Sequence, residues 1–400
     1  MHTTRKIKED LIYVGGSDRR LNRFENLFPI PRGVSYNSYV LLDEKTALID
    51  TVDDSIGRLF CENVTHALGG RALDYLIVQH MEPDHCALID EMLRRYPEAK
   101  IVCSAKALAM LRQFYGLEME QRALVVAEGD KLSTGAHTLH FMMAPMVHWP
   151  EVMVTYDDRH KTLFSADAFG TFGALAGNIF DDEFEFDSTW MSDARRYYTN
   201  IVGKYGAQVQ ALLKKALAFE IEMICPLHGP VWHANLELLL EKYQRWSTYE
   251  PEEKTAVIAY ATMYGNTENA ASVLAAMLAD KGVKNIRMFD ICETDVSELV
   301  AESFRCSHLV LAAPTYNGGL HPRMESFLAD IKALGLQNRT VALIENGTWA
   351  PVSAKHMRTM LESMKNMTVL NDVATVKSAL EDGQLASLEA LAQEIAAQVL

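Results

Sequence analysis

Along the first 250 residues, short apolar runs alternate with turn residues, a pattern that predicts strands. Tyr36–Leu42 and Thr46–Asp50 flank the turn Asp43-Glu44-Lys45 and predict a hairpin. Leu73–Gln79, Lys100–Cys103, Leu139–Ala144, Val152–Tyr156 and Thr162–Ser165 predict further strands, and Ala105–Tyr115 and the long stretch Trp190–Phe219 predict helices. Strands with helices interspersed point to two sheets in an α/β layer arrangement. The last 150 residues alternate strand with helix: strands at Ala256–Ala261, Ile286–Phe289, His308–Ala313, Thr340–Glu345 and Met367–Leu370, helices at Thr267–Lys281, Val296–Ser303, Pro322–Leu334 and Ser353–Met364, then a closing Ala/Leu-rich helix. That alternation predicts a doubly wound parallel sheet. The polar segment Ser247–Lys254 marks the join, giving domains 1–250 and 251–400; no internal repeat or low-complexity tract interrupts either.

Composition narrows the classes. Hydrophobic residues make up 49% of the 400 and charged ones 23%, which suits globular domains and excludes wholesale disorder. A formal net charge of −15 repels phosphate backbones and anionic lipid, so neither nucleic acid nor a membrane face is expected as main partner. No apolar run approaches the roughly 18 residues of a membrane span. The start, MHTTRKIKEDLIYVGG, lacks the apolar core of a secretory signal, so a cytoplasmic, reduced protein is expected. None of the 6 cysteines forms a Cys-x-x-Cys pair, which disfavours a disulfide scaffold, a zinc ribbon and a rubredoxin-type iron site.

Candidate chemistry gathers where strands end. His80-Met81-Glu82-Pro83-Asp84-His85 closes one predicted strand and offers four ligands within six residues. His148, Asp167 and His228 follow later strands, with Pro or Gly beside three of these four sites to set tight turns. The sum, four imidazoles and three carboxylates, exceeds the three protein ligands usual for one catalytic zinc. It suits two divalent ions sharing a carboxylate, with Asp167 the natural bridge, and its oxygen content favours iron or manganese over zinc. His66, His137, His140, His160 and His233 lack this context and read as structural.

The second domain carries three loops at carboxyl ends of its strands, where doubly wound sheets bind ligands. Thr262-Met263-Tyr264-Gly265-Asn266-Thr267 opens a helix and offers backbone N–H groups and hydroxyls to a phosphate, without the Lys of a nucleoside-triphosphate loop. This cradle looks like the FMN phosphate site of flavodoxin. Pro314-Thr315-Tyr316-Asn317-Gly318-Gly319 and Asn346-Gly347-Thr348-Trp349 follow the next two central strands. Their Gly and Asn admit close backbone approach to a ring, and Tyr316 or Trp349 can stack on it.

The string His-x-Glu-x-Asp-His resembles the metal motif of the metallo-β-lactamase fold with its second His replaced by Glu82, the mark of flavodiiron proteins, or A-type flavoproteins. The onward spacings also match, with 62 residues between His85 and His148, 18 to Asp167 and 60 to His228. Over essentially the whole chain, the resemblance implies an N-terminal αββα sandwich fused to a flavodoxin-like domain. It implies one iron on His80, Glu82 and His148, a second on Asp84, His85 and His228, and Asp167 bridging. The third flavin loop departs from the family, with Glu345-Asn346-Gly347-Thr348-Trp349 where many relatives carry Gly-Ser-Tyr-Gly-Trp. The activity implied is reduction of dioxygen to water, of nitric oxide to nitrous oxide, or both, at a non-haem di-iron centre fed by FMN. The implied partners are a separate rubredoxin-type donor and a second copy in a head-to-tail dimer or dimer of dimers. Within Arg195-Arg196-Tyr197-Tyr198, the two tyrosines are candidate proton or hydrogen-bond sources, against a plain solvent-facing helix. Two other readings compete: a zinc hydrolase fused to a flavodoxin, and an electron carrier with a degenerate metal domain.

Overall fold

The computed structural model describes residues 1–184 and 188–400. The chain packs into two units, Met1–Tyr198 with Ala207–Tyr243, and Thr199–Gly206 with Gln244–Leu400.

In the first unit, alternation of apolar positions builds two sheets that share one interior. The larger orders its strands Arg5–Lys6, Leu11–Tyr13, Tyr39–Leu42, Thr46–Ile49, Tyr75–Val78, Lys100–Ser104 and Ala123–Val126. The smaller orders Lys131–Ser133, Thr138–Met143, Met153–Asp157, Thr162–Phe164 and Met223–Cys225. Every second residue, such as Leu11 and Tyr13, Tyr39 and Leu41, Ala47 and Ile49, Leu139 and Phe141, enters the shared core. The Leu, Ile and Phe side chains among these contribute roughly 1.5–3 kcal/mol each when fully buried, and Ala47 less than about 1. Helices Gly57–Leu68 and Ala105–Tyr115 cover the larger sheet. The helix Gly206–Ala216 and the turn after it cover the smaller, where Lys215 donates to Met143 O at 2.7 Å and Phe219 packs on Tyr156. This is the αββα sandwich.

Two expected elements are broken, each for a physical reason. Tyr36–Leu42 is not one strand: Val34–Tyr36 pairs with Gly16–Asp18, while Tyr39–Leu42 joins the larger sheet. Between them Asn37 turns aside to serve another loop. Its N–H donates to Leu227 O at 2.8 Å, and its amide donates to Pro226 O at 2.9 Å and Gly229 O at 2.8 Å. The stretch Trp190–Phe219 is likewise not continuous, since a π-helical turn at Tyr198–Val202 and a 3₁₀ turn at Gly203–Tyr205 separate helices Ser188–Tyr197 and Gly206–Ala216. Asn200 donates to Ser297 O at 3.1 Å, and Tyr249 to Gly203 O at 2.9 Å. A Cβ at Gly206 would lie 2.3 Å from Ser247 O, so the chain passes here only as glycine.

The second unit has strands Arg287–Asp290, Glu253–Tyr260, Cys306–Tyr316, Thr340–Asn346 and Thr368–Val376 in that spatial order, all parallel. The last runs well beyond the predicted Met367–Leu370. Ala256, Ile258, Val310, Ala312, Ala342 and Ile344 face helices Asn266–Asp280 and Leu385–Val399. Val257, Ala259, Leu309, Leu311, Val341 and Leu343 face the opposite core, with residues of helices Val296–Arg305, Pro322–Ala333 and Ser353–Glu362. Both faces are buried, which is why these strands read as unbroken apolar runs.

Arg339 is buried in this unit and its guanidinium donates to the carbonyls of Ser303, Phe304, Tyr249, Gln337 and Asn338. Burial pulls its pKa down to about 10, and the planar five-donor fork is what these acceptors require. Arg339→Lys keeps the charge but strands buried carbonyls. It is expected to destabilise the second unit by about 2–4 kcal/mol, read as earlier thermal loss of its near-ultraviolet circular dichroism.

Candidate metal and flavin sites

The sandwich delivers all seven predicted ligands to one rim, at strand ends and in the loops that follow them. His80 and Glu82 follow strand Tyr75–Val78, and Asp84 and His85 lie in the short helix Pro83–Cys86. His148 sits in the loop before Met153–Asp157, Asp167 follows Thr162–Phe164 and His228 follows Met223–Cys225. All seven are buried. They form two groups, His80, Glu82, His148 and Asp167 in one, Asp84, His85 and His228 in the other, with donor atoms of each within 4.8 Å of one another.

Asp167 stands between the groups. Its Oδ2 lies 3.0 Å from His148 Nε2 and 3.4 Å from His80 Nε2, while its Oδ1 lies 3.1 Å from His85 Nε2 and 3.7 Å from His228 Nε2. Glu82 Oε2 faces His148 Nε2 at 3.0 Å and His80 Nε2 at 3.2 Å. Asp84 Oδ2 is 3.4 Å from both His85 and His228.

Neighbours decide which ring nitrogens carry lone pairs. His80 Nδ1 faces Glu151 Oε1 at 2.8 Å and His228 Nδ1 faces the Ser35 carbonyl at 2.7 Å. Each Nδ1 therefore donates, and in the neutral ring Nε2 is left as an acceptor aimed at the carboxylates. His85 Nε2 and His228 Nε2 approach to 3.0 Å, and among the described residues no hydrogen-bond donor reaches the buried Asp84 oxygens or Asp167 Oδ1. Such convergence of acceptors requires positive charge between them. In the absence of metal, protons supply it. Burial opposes charge on His80, His85 and His148, but the carboxylates outweigh it and raise all three, His148 to about 9. Burial likewise opposes Glu82 and Asp167, yet the histidines hold both below the usual carboxylate range. The donor set fits a pair of divalent ions.

Supporting groups that sequence reasoning missed complete the site. Glu151, three residues beyond His148, also accepts from Met81 N–H at 2.9 Å. Asp50 accepts from Gln79 N–H at 2.8 Å and from its side-chain amide at 3.0 Å, fixing the strand end before His80. Glu25 lies in the loop between Arg23–Phe24 and Phe28–Pro29, in a cavity of ≈ 470 Å³ that reaches Glu82 and Asp84. Although the residue is exposed on its outer side, desolvation against the cavity and then the charge of Glu82 push its carboxyl up. No sequence signal marks Glu25; its position depends on a hairpin docked by the fold. Of the Arg195–Tyr198 cluster, Tyr197 reaches the site. Its ring packs 5.5 Å from that of His228 and its buried hydroxyl has no hydrogen-bond partner among the described residues. Tyr198 instead packs edge-on against Tyr243, because consecutive helical residues point about 100° apart. Arg196 donates to Pro29 O at 2.6 Å and lies over the Phe172 ring.

In the second unit the three predicted loops meet around a cavity of ≈ 410 Å³ at the carboxyl end of the sheet. Thr262, Met263, Tyr264, Asn266 and Thr267, then Pro314 to Gly318, then Asn346 to Trp349 line it, joined by Ala350 and Ser378; Gly265 and Gly319 do not. Gly265 takes φ +87° to start helix Asn266–Asp280, and Thr262 Oγ1 accepts its N–H at 3.0 Å. Asn317 and Gly318 turn the chain at φ +50° and +74° between Tyr316 and Gly319. Some predicted contacts prove to be scaffold. Asn346 exchanges two hydrogen bonds with the Ser378 backbone, and Thr315 Oγ1 accepts from Val352 and Ser353 at the next helix start. Trp349 is 91% exposed and Tyr316 42%, so both rings are available at the rim.

The sequence matches the ODP family beta lactamase over residues 34–229 and a flavodoxin domain over residues 257–390. It is 28% identical over 361 residues to the anaerobic nitric oxide reductase flavorubredoxin of Klebsiella pneumoniae, covering 89% of this chain and 74% of that protein. Among solved structures, it is similar to rubredoxin oxygen:oxidoreductase of Desulfovibrio gigas, at TM-score 0.92 and 28% identity, over 99% of this chain and 98% of that one. The flavodiiron protein of Giardia intestinalis shares the fold at TM-score 0.92 with 24% identity, over 99% and 96%.

Two outcomes follow for the metal-free protein. Glu151→Gln weakens the acceptor that fixes His80 and is expected to lower metal affinity about 10–100-fold, measured by competition with a chelator. His148 holds a proton below about 9, so a metal must displace it. Uptake at pH 7 should release protons and tighten as pH rises toward 9, read as buffer-dependent heats in calorimetry.

Proposed function

We infer from membership of the flavodiiron family, to which this chain belongs, that it is an oxidoreductase reducing dioxygen to water, nitric oxide to nitrous oxide, or both. The observation that carries this reading is the division of Asp167, one oxygen to each histidine group, in a buried set of acceptors. His80, Glu82 and His148 would hold one iron and Asp84, His85 and His228 the other, with Asp167 shared. When bound, the iron pair supplies a place for a small oxidant and FMN supplies electrons singly.

The chain's own residues set the conditions for that chemistry. Glu151 and the Ser35 carbonyl orient His80 and His228 by accepting hydrogen bonds from their Nδ1–H groups. Tyr197 and Phe24 place aromatic surface against His228 and limit water there. Glu25 lines the cavity that Glu82 and Asp84 also line, and the charge of Glu82 beside it favours its protonated form. At the flavin cavity, the start of helix Asn266–Asp280 offers N–H groups to a phosphate, and Trp349 or Tyr316 offers a ring face.

Domains 1–250 and 251–400 would carry metal and flavin respectively. We propose a cytoplasmic head-to-tail dimer, or dimer of dimers, that brings one chain's FMN to its partner's iron pair, and a rubredoxin-type donor. No helix among the described residues is long and apolar enough to cross a membrane. At a net charge of −15, donor docking should weaken with added salt if it uses a local basic patch.

The test is anaerobic stopped-flow of the reduced, iron- and FMN-loaded protein against each gas. Flavin reoxidation within the turnover time is expected with at least one gas, and Asp167→Ala should abolish it. Two zinc and no iron in the native protein would return the hydrolase reading, and gas consumption surviving Asp167→Ala would return the electron-carrier reading. An active preparation that elutes only as monomer would overturn the dimer.

A further inference from the structure

A second constellation of metal-ligating side chains lies at the far end of the sandwich. Strand Met153–Asp157 begins just after Glu151 at the metal rim, and four residues later, about 13 Å along it, ends at Asp157. There His137, at the turn before strand Thr138–Met143, meets His160, in the turn before Thr162–Phe164, and Asp10, in the turn before Leu11–Tyr13. His137 and His160 read as structural from the sequence, because neither follows a strand end shared with other ligands. The tertiary fold gives them the missing partners.

The geometry is that of a three-ligand site with a supporting carboxylate. His137 Nε2 lies 3.1 Å from Asp10 Oδ2, and His160 Nε2 lies 2.5 Å from Asp10 Oδ1. The donor atoms of all three residues fall within 4.8 Å of one another. Around a tetrahedral zinc with Zn–N of roughly 2.0–2.1 Å, ligand atoms stand about 3.3 Å apart, so small movements suffice. On the other side of His137, Asp157 receives Nδ1 at 2.9 and 3.0 Å from its two oxygens and is fully buried. That contact fixes the tautomer with Nδ1–H toward Asp157 and the Nε2 lone pair toward Asp10, the outer-carboxylate arrangement found behind ligating histidines. Two neutral imidazoles and two carboxylates also balance one divalent charge.

We propose that Asp10, His137 and His160 bind a zinc-type divalent cation, with Asp157 positioning His137. Mixed nitrogen and oxygen donors favour such a cation over magnesium or calcium, which take oxygen. The Asp10 and His160 side chains are 26% and 16% exposed, which leaves a route for the ion and room for water as fourth ligand. The ion ties the chain's N-terminal turn to two hairpins of the smaller sheet, so its role is to staple the sandwich. This site is independent of the di-iron reading.

The experiment uses the full chain loaded with iron and FMN, exposed to micromolar Zn²⁺, desalted and analysed for both metals. Wild type is expected to gain one zinc per chain with its iron unchanged. His160→Ala and Asp10→Asn, both partly exposed, should lose that zinc and keep their iron. X-ray absorption at the zinc edge of wild type should show two imidazoles. No zinc gained, zinc gained only as iron is lost, zinc retained by both variants, or an absorption edge without imidazole would each overturn the proposal. The protons that otherwise neutralise the cluster would then be its natural occupants.

Discussion

The rest of the first unit is organised around a buried excess of electron pairs. His85 and His228 present Nε2 atoms to each other at 3.0 Å with Asp84 and Asp167 beside them, Glu82 faces His80 and His148, and all three carboxylates are nearly cut off from water. Burying an unpaired carboxylate costs several kcal/mol, and several together are tolerated only with cations among them. The fold supplies the aim and the cations supply the balance. Much of the irregular backbone serves that aim. Asn37 breaks a strand to pin Pro226, Leu227 and Gly229 beside His228, and the Tyr39 hydroxyl donates to Pro226 O at 2.6 Å.

The flavin unit solves a different problem. Its cavity carries few charges, and its order comes from backbone geometry. Left-handed turns at Gly265, Asn317 and Gly318 shape its rim, and a Cβ at Gly347 would lie 2.8 Å from Pro351 Cα. Side chains such as Thr262, Thr315 and Asn346, which look like ligand contacts in the sequence, hold these turns in shape. Glu345, where many family members have glycine, accepts from Thr375 and from Ala354 N–H and so belongs to this framework.

The histidine–carboxylate string was legible because its residues are neighbours in the chain and strand ends have a predictable geometry. His80 to His85 span one strand end and one helical turn, so their convergence is a local matter. The doubly wound unit was legible for a similar reason, since strands buried on both faces leave continuous apolar runs between helical periods. The two broken elements were not. Asn37 leaves its strand for partners almost 190 residues away, and Thr199–Gly206 leaves its helix to pack with Ser297 and Tyr249.

Alone, the sequence determined the two fold classes, the seven candidate ligand residues with their spacing and three candidate ligand loops at strand ends, because each is written in local periodicity or short-range turn chemistry. Only the tertiary structure decided which oxygen of Asp167 faces which histidines and that Glu151 stands behind His80. It alone set Glu25 over the cavity, and joined Asp10 to His137 and His160 across a sandwich that the chain crosses more than once. Those decisions rest on contacts between residues far apart in the chain, and a pattern read along one dimension carries no record of them.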